Sequence, residues 1–200
     1  MSNDWIDSIG SAWKGHRTFA EFLVKYMKPK VVVDLGVDYG FSSFVFANAL
    51  QNTDGTHYGI DMFQGDIHTN FRNTYDSVME NIKAHHLTNI EIIVGEFGEV
   101  AQSWKLPIQI LHIDGLHTYE AVKRDYDNWS PFVDENSIIL FHDVTSFPDI
   151  AQFFRDVEGG WQKLYFTHSA GLGILTKNAV LKDEILKNFN NVFNHDTRPL

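Results

Sequence analysis

The sequence predicts an α/β domain in which a mostly parallel sheet carries helices on both faces, and three observations lead there. Five apolar runs, 31–34, 58–61, 92–96, 110–114 and 139–143, end in Asp34, Asp61, Glu96, Asp114 and Asp143. Each run is followed by a stretch long enough for the crossover that parallel strands require. After the fifth, two strand-like segments follow one another across Ser169-Ala170-Gly171, which reads as a hairpin that ends the parallel rhythm. In such a sheet the five carboxylates gather along the carboxyl edge, where open α/β sheets bind ligands.

The elements follow in order. Residues 12–27 place Trp13, Phe19, Phe22, Leu23, Tyr26 and Met27 at helical spacing until Pro29 stops them. A buried strand over 30–34 is followed by Gly36, Gly40 and a helix over 42–50, and the turn 52–55 introduces a second strand over 56–61. A polar loop, 62–72, and a helix over 73–86 precede the third strand, 90–94. A helix over 97–104 comes next, then Pro107 and a fourth strand, 108–114. The helix over 117–129 sets Tyr119, Val122, Tyr126 and Trp129 on one side, and a fifth strand over 137–141 leads to a helix over 149–157. Gly159-Gly160 opens the hairpin of 161–167 and 172–176, and an amphipathic helix over 179–193 closes the chain with Leu181, Ile185, Leu186 and Phe189. The whole of 1–200 reads as one domain: an N-terminal helical segment 1–29, a core 30–178, and a C-terminal helix and tail 179–200.

Composition narrows the function. With 44% hydrophobic and 21% charged residues, 200 residues suffice for one well-buried core. The absence of cysteine removes disulfides, thiolate metal sites and cysteine nucleophiles, and fits a cytoplasmic protein. No apolar run reaches the roughly 18 residues of a membrane span, and no basic-then-apolar leader is present at the amino terminus. A net charge of -10, with no run of Lys and Arg, argues against nucleic-acid partners. The apolar side chains Trp5, Ile6, Ile9 and Trp13 near the amino terminus pack on the chain's own domain or on a neighbour, leaving a homo-oligomer open.

The first three strand tips suit a nucleoside. Asp34-Leu35-Gly36-Val37-Asp38-Tyr39-Gly40 links strand to helix, so two glycines let the backbone approach a ligand beside free helix amides. Its Gly-x-x-x-Gly spacing is neither the dinucleotide Gly-x-Gly-x-x-Gly nor a phosphate loop, and Asp34 favours an amino group over a phosphate. Asp61 matches the acid that grips ribose hydroxyls in nucleotide-binding α/β folds. Glu96 and Phe97 are placed to meet the edge and face of a purine.

These residues carry a resemblance. Asp34-Leu-Gly-x-x-x-Gly40, Gly59-Ile-Asp61, Gly65-Asp66-x-His68, His112-Ile-Asp-Gly-x-His-x-Tyr-Glu120 and Phe141-His-Asp143 are similar, in that order, to the motifs of class I S-adenosylmethionine-dependent methyltransferases. Within these the chain resembles small-molecule O-methyltransferases of the macrocin and cephalosporin hydroxylase-like group, methyltransferase family 24. The resemblance covers about 18–178. It implies a Rossmann-like, seven-stranded, mostly parallel sheet with an antiparallel last strand, and S-adenosylmethionine at Asp34, Gly36, Gly40, Asp61, Glu96 and Phe97. Gly95-Glu96-Phe97 departs from the family's commoner Gly-Asp/Asn-small pattern.

The last two strand tips crowd Asp114, His117, His142 and Asp143 together, and neighbouring carboxylates call for a cation. A divalent ion, Mg or Mn, is expected on Asp114, His142 and Asp143, where it lowers the pKa of an acceptor hydroxyl. The resembled family commonly has an acid where His142 stands, and an imidazole favours Mn, Fe, Ni or Zn over Mg. His117 is the candidate general base or additional ligand, with a helix-capping role as the alternative, and Asp114 shares the catalytic assignment. Asp66 and His68 are placed to close over the acceptor. His112 reads as a satisfied core residue. The sequence thus points to metal-assisted O-methylation of a small hydroxylated acceptor such as a sugar, glycoside or phenol. A nicotinamide-dependent oxidoreductase and a cofactor-binding but inactive homologue are the competing readings.

Overall fold

The computed structural model describes residues 4–67 and 71–200. A short helix, α1 (Asp4–Asp7), and a 3-10 turn (Ala12–His16) lead into α2 (Arg17–Met27). Then come β1 (Val31–Leu35), α3 (Phe41–Ala49), β2 (Thr56–Asp61), α4 (Tyr75–Ala84), β3 (Ile90–Val94), α5 (Phe97–Ser103), β4 (Ile108–Ile113) and α6 (Tyr119–Trp129). The chain finishes with β5 (Val133–His142), α7 (Pro148–Asp156), β6 (Gln162–Phe166), β7 (Leu172–Thr176), α8 (Ala179–Asn188) and β8 (Val192–Asn194).

The strands form one sheet in the order β3-β2-β1-β4-β5-β7-β6-β8. β1 to β5 pair in parallel, whereas β7 runs antiparallel to both β5 and β6. Side chains alternate between two cores. Val32, Ile110, Leu140 and Ile174 pack with Phe19 and Leu23 of α2, Phe44 of α3 and Ile185 of α8. Val33, Leu111, Ile139 and Leu175 pack on the other face with Val122 and Trp129 of α6 and Phe153 and Phe154 of α7. Burial on both faces explains why the central strands read as unbroken apolar runs.

Four elements differ most from the expectation, among them β5, which begins at Val133 rather than at 137. The sheet has an eighth strand, β8, antiparallel to β6. The closing helix stops at Asn188 because Asn190 and Asn191 form a turn, a conformation their side chains favour, and Val192 is then buried against the sheet. The segment 12–27 divides into a 3-10 turn and a helix. Gly15 lies in that turn, where a Cβ would stand 2.2 Å from Ser169 Oγ. The amino-terminal segment packs on its own domain: Ile6 and Trp13 are buried, and Trp5 stacks on His85 at 3.7 Å.

Candidate active site

The loop after β1 runs against the end of β4. Gly36 adopts φ 100, and a Cβ there would lie 2.0 Å from the Asp114 carbonyl oxygen, so only glycine passes. Asp61 fastens this loop to the next: its carboxylate accepts from the amides of Val37 (2.8 Å), Asp38 (2.9 Å) and Phe63 (2.7 Å). Asp38 in turn receives Arg72 Nη2 at 2.5 Å, and that guanidinium lies 4.7 Å above the Tyr39 ring. Together with Gly10 to Trp13 and Met62, these residues wall one side of a cavity of about 480 Å3.

The opposite wall is built from the tips of β3 and β4. Glu96 caps α5 by accepting from the Glu99 amide at 3.0 Å, and still lines the cavity beside Phe97. Asp125 of α6 faces the same space, only 1% exposed, with no hydrogen-bond partner for Oδ1 among the described residues. Burial pushes its carboxyl up to about 7, Glu96 adds to this, and Arg124 offsets only part.

At the tips of β4 and β5, four titratable groups meet in that cavity. His117 Nε2 lies 2.7 Å from Asp143 and 3.6 Å from Asp114. His142 Nδ1 lies 3.2 Å from Asp114 and 3.3 Å from Asp143. Ligand atoms of Asp114, His117 and Asp143 all fall within 4.8 Å of one another. Burial works to lower both imidazoles, but the two carboxylates prevail and raise His117 to about 9 and His142 to about 10. Burial likewise works to raise the carboxyls, yet the imidazoles hold Asp114 and Asp143 below the usual range.

The second nitrogen of His142 is fixed from behind. Nε2 donates to the Ser169 carbonyl at 3.0 Å, in a turn where Ser169, Ala170 and Gly171 all have positive φ. Asp143, itself at φ 65, donates its amide to the Gly171 carbonyl at 3.0 Å. The β6–β7 turn therefore orients both residues that end β5.

A family model described as a methyltransferase domain matches residues 33–144, the span from β1 to just beyond Asp143. That is more than half of the chain. The chain belongs to the methyltransferase domain family. An uncharacterised protein, y4gI of Sinorhizobium fredii, is 31% identical over 174 residues, which cover 82% of this chain and 19% of that protein. The chain thus spans about a fifth of the length of this curated relative.

Among solved structures, this methyltransferase domain is similar to the S-adenosylhomocysteine-bound Podospora anserina methyltransferase PaMTH1, at 13% identity and TM-score 0.65, covering 86% of this chain and 84% of that one. The O-methyltransferase TomG of Streptomyces achromogenes, in complex with S-adenosylmethionine, matches at 12% identity and TM-score 0.62, covering 88% and 90%. The O-methyltransferase of Bacillus cereus, also bound to S-adenosylhomocysteine, matches at 14% and TM-score 0.64, covering 82% and 81%. At these identities the likeness is one of fold.

Within the methyltransferase domain, Gly36, Asp61, Glu96, Phe97, Asp114, His117, His142 and Asp143 all line the cavity, as does Asp66. His68 lies outside the described residues. Asp34 and Gly40, expected beside the cofactor, are not among the described residues that line this cavity. β1 runs one residue further than expected, to Leu35, so Asp34 remains inside the strand and points into the α3 side of the sheet. There, fully buried, it accepts from Ser42 Oγ (2.8 Å), Ser43 Oγ (2.6 Å) and His112 Nδ1 (2.7 Å). Burial would raise this carboxyl, but His112, with the help of His57, outweighs it and holds it far below the usual range. His112 Nε2 accepts from the Trp13 indole at 3.0 Å, so Nδ1 carries the hydrogen that faces Asp34, and His112 is a satisfied core residue, as the sequence suggested. Gly40, at φ 88, packs against Phe44 behind the loop.

Asp125 and Arg72 were missed at the level of sequence. Asp125 carried a signal: it falls three residues after Val122 and four before Trp129, an acid within the buried stripe of α6.

Proposed function

We propose that this methyltransferase domain transfers the methyl group of S-adenosylmethionine to a hydroxyl of a small acceptor, a sugar, glycoside or phenol, with a divalent cation at the tips of β4 and β5. The observation that carries the reading is the opening of the Gly36 loop, Asp61 and the Asp114–His117–Asp143 cluster into one cavity. The family match favours this over a nicotinamide oxidoreductase.

The donor set fits a cation. Asp114 and Asp143 supply charge, and His142 Nδ1 is a buried atom without a hydrogen-bond partner among the described residues, aimed at both carboxylates. Its other nitrogen is tied to a backbone carbonyl, an arrangement that orients metal-ligating histidines elsewhere. Asp114, Asp143 and His142 would hold the ion, with His117 beside them. When bound, it would supply positive charge that lowers the pKa of the acceptor hydroxyl.

The chain's own residues account for the rest. Asp61 keeps lone pairs for ribose hydroxyls while its amide contacts hold the loop, and Glu96 and Phe97 would meet the base. In its unprotonated form, the minority while Asp114 and Asp143 raise it to about 9, His117 would take the acceptor's proton as the acceptor oxygen bonds to the methyl carbon and the carbon–sulfur bond breaks. That electron pair stays on sulfur, giving S-adenosylhomocysteine. Gly10 to Trp13, Tyr39 and Met62 wall the remaining volume and would exclude water from the acceptor.

Calorimetric titration with S-adenosylhomocysteine and with NAD(H), each with and without Mn2+, tests the reading. Uptake of S-adenosylhomocysteine is expected, and a preference for NAD(H) would overturn it.

A further inference from the structure

Asp34 has no task in the mechanism above, yet its two oxygens serve different parts of the site. Oδ2 accepts from the hydroxyls of Ser42 (2.8 Å) and Ser43 (2.6 Å) in the first turn of α3, and His57 Nε2 lies 3.7 Å from it. Oδ1 faces His112 Nδ1 at 2.7 Å, and the far nitrogen of that ring accepts from the Trp13 indole at 3.0 Å. Trp13 lines the cavity beside Gly10, Ser11 and Ala12, its amide held by Ser11 Oγ at 3.0 Å.

A neutral imidazole carries one N–H, so the hydrogen that faces Asp34 leaves a lone pair for Trp13. A carboxylate only accepts, and it therefore dictates that arrangement. With the hydrogen on Nε2 instead, two donors would meet across 3.0 Å where both rings are buried, and the indole would have to withdraw. No ligand needs to touch Asp34 for its charge to decide where this wall stands.

We propose that Asp34 is a positioning residue for the acceptor side of the cavity: by setting the tautomer of His112 it fixes the Trp13 indole, and with it the wall of Gly10 to Ala12. The inference rests on reading that side as the acceptor's, and adds to it a residue that acts from inside the sheet.

Asp34→Asn tests this by keeping the shape and removing the compulsion. Two hydroxyls hold an oxygen at the Oδ2 position, so the asparagine amide turns toward His112 Nδ1, which must then accept. The same exchange in a serine-protease triad leaves the geometry intact and gives the histidine the wrong tautomer. Nitrogen-15 spectra of the His and Trp side chains, assigned with Trp13→Phe and His112→Gln, should show Nδ1–H on His112 and a slowly exchanging Trp13 indole in the unmodified chain. In Asp34→Asn the hydrogen should move to Nε2, and the indole should exchange about tenfold faster or more, as for one buried hydrogen bond lost. In thermal melts Asp34→Asn should cost less in a Trp13→Phe background, because members of one network do not add. Calorimetric titration should find S-adenosylhomocysteine affinity within a few-fold of the unmodified chain, since Asp61 holds the cofactor loop separately.

Nε2–H on His112 in the unmodified chain would overturn the inference, and decides it even if the variant does not fold. An unmoved indole in Asp34→Asn, or equal costs in the two backgrounds, would overturn it as well. So would a large loss of S-adenosylhomocysteine binding in that variant, which would return Asp34 to the cofactor. An unmodified chain that binds no S-adenosylhomocysteine would overturn the cofactor reading and leave the tautomer result standing.

Discussion

His142 Nε2 lies 3.0 Å from the carbonyl oxygen of Ser169, and this one contact decides which nitrogen the histidine turns toward Asp114 and Asp143. An N–H must point at the carbonyl, so any lone pair falls on Nδ1. The cation site proposed at the strand tips thus depends on a hairpin turn that supplies none of its ligands.

Gly171→Ala tests that dependence. Gly171 has φ 85, and a Cβ would stand 2.7 to 2.8 Å from atoms of Thr145. The substitution should shift the Ser169 carbonyl, destabilise the fold by about 1–3 kcal/mol, and weaken Mn2+ binding more than S-adenosylhomocysteine binding. Titrations with each ligand, beside a denaturant melt, read the three effects separately.

Asp114→Ala and Asp143→Ala should remove divalent-metal binding and most methyl transfer, while S-adenosylhomocysteine affinity stays within a few-fold. Equal loss of both ligands would mean that these carboxylates serve the nucleoside side of the cavity.

Asp61→Ala should act in the opposite sense. It removes the acceptor for three amides at 2.7 to 2.9 Å, and buried donors left unpaired cost about 1–3 kcal/mol each. We expect loss of S-adenosylhomocysteine binding with a lower melting temperature, and Mn2+ binding largely preserved, all measurable by calorimetry.

Stability should depend on pH through Asp125. Its carboxyl is raised by burial to about 7, from an ordinary value of 3.8. Between these values the folded chain holds a proton that the unfolded chain has released, so this group's contribution falls as pH rises through that window. Asp125→Asn should remove that part of the decline, so that the difference between variant and unmodified chain grows in the variant's favour from pH 4 toward pH 7. Urea melts across the range measure it; a difference independent of pH would show that Asp125 titrates as an ordinary carboxyl.

Trp13 separates packing from hydrogen bonding. It is 2% exposed and donates to His112. Trp13→Phe should cost on the order of 1 kcal/mol for the hydrogen bond, with some added loss of volume, whereas Trp13→Ala should cost about 3–5 kcal/mol. Similar losses in the two variants would assign the stability to the Trp13–His112–Asp34 chain rather than to burial.

Much of this architecture was legible because parallel strands buried on both faces leave an unmistakable apolar signature, and because acids that follow such strands end up on one edge. Asp114 and Asp143 obey that logic, each standing one residue beyond its strand. Asp34 carries the same local signature and ends up elsewhere. One further strand residue, Leu35, turns its carboxylate onto the face of the sheet, and a single step of register decides the matter. β8 was hidden by its length of 3 residues, too few for a period to show. Asp125 was hidden for another reason: the helix was read through its apolar side chains alone, and an acid sharing their stripe went unremarked.

One peptide oxygen serves two histidines. The Ser169 carbonyl faces His142 Nε2 at 3.0 Å and His16 Nε2 at 3.2 Å, while Ser169 Oγ accepts from the Gly15 amide. The strand-tip chemistry is therefore braced by residues 15–16 and 169–171, neither of which falls within residues 33–144. Grafting only that central span into another protein would transplant every acidic ligand and leave behind the scaffolding that aims them.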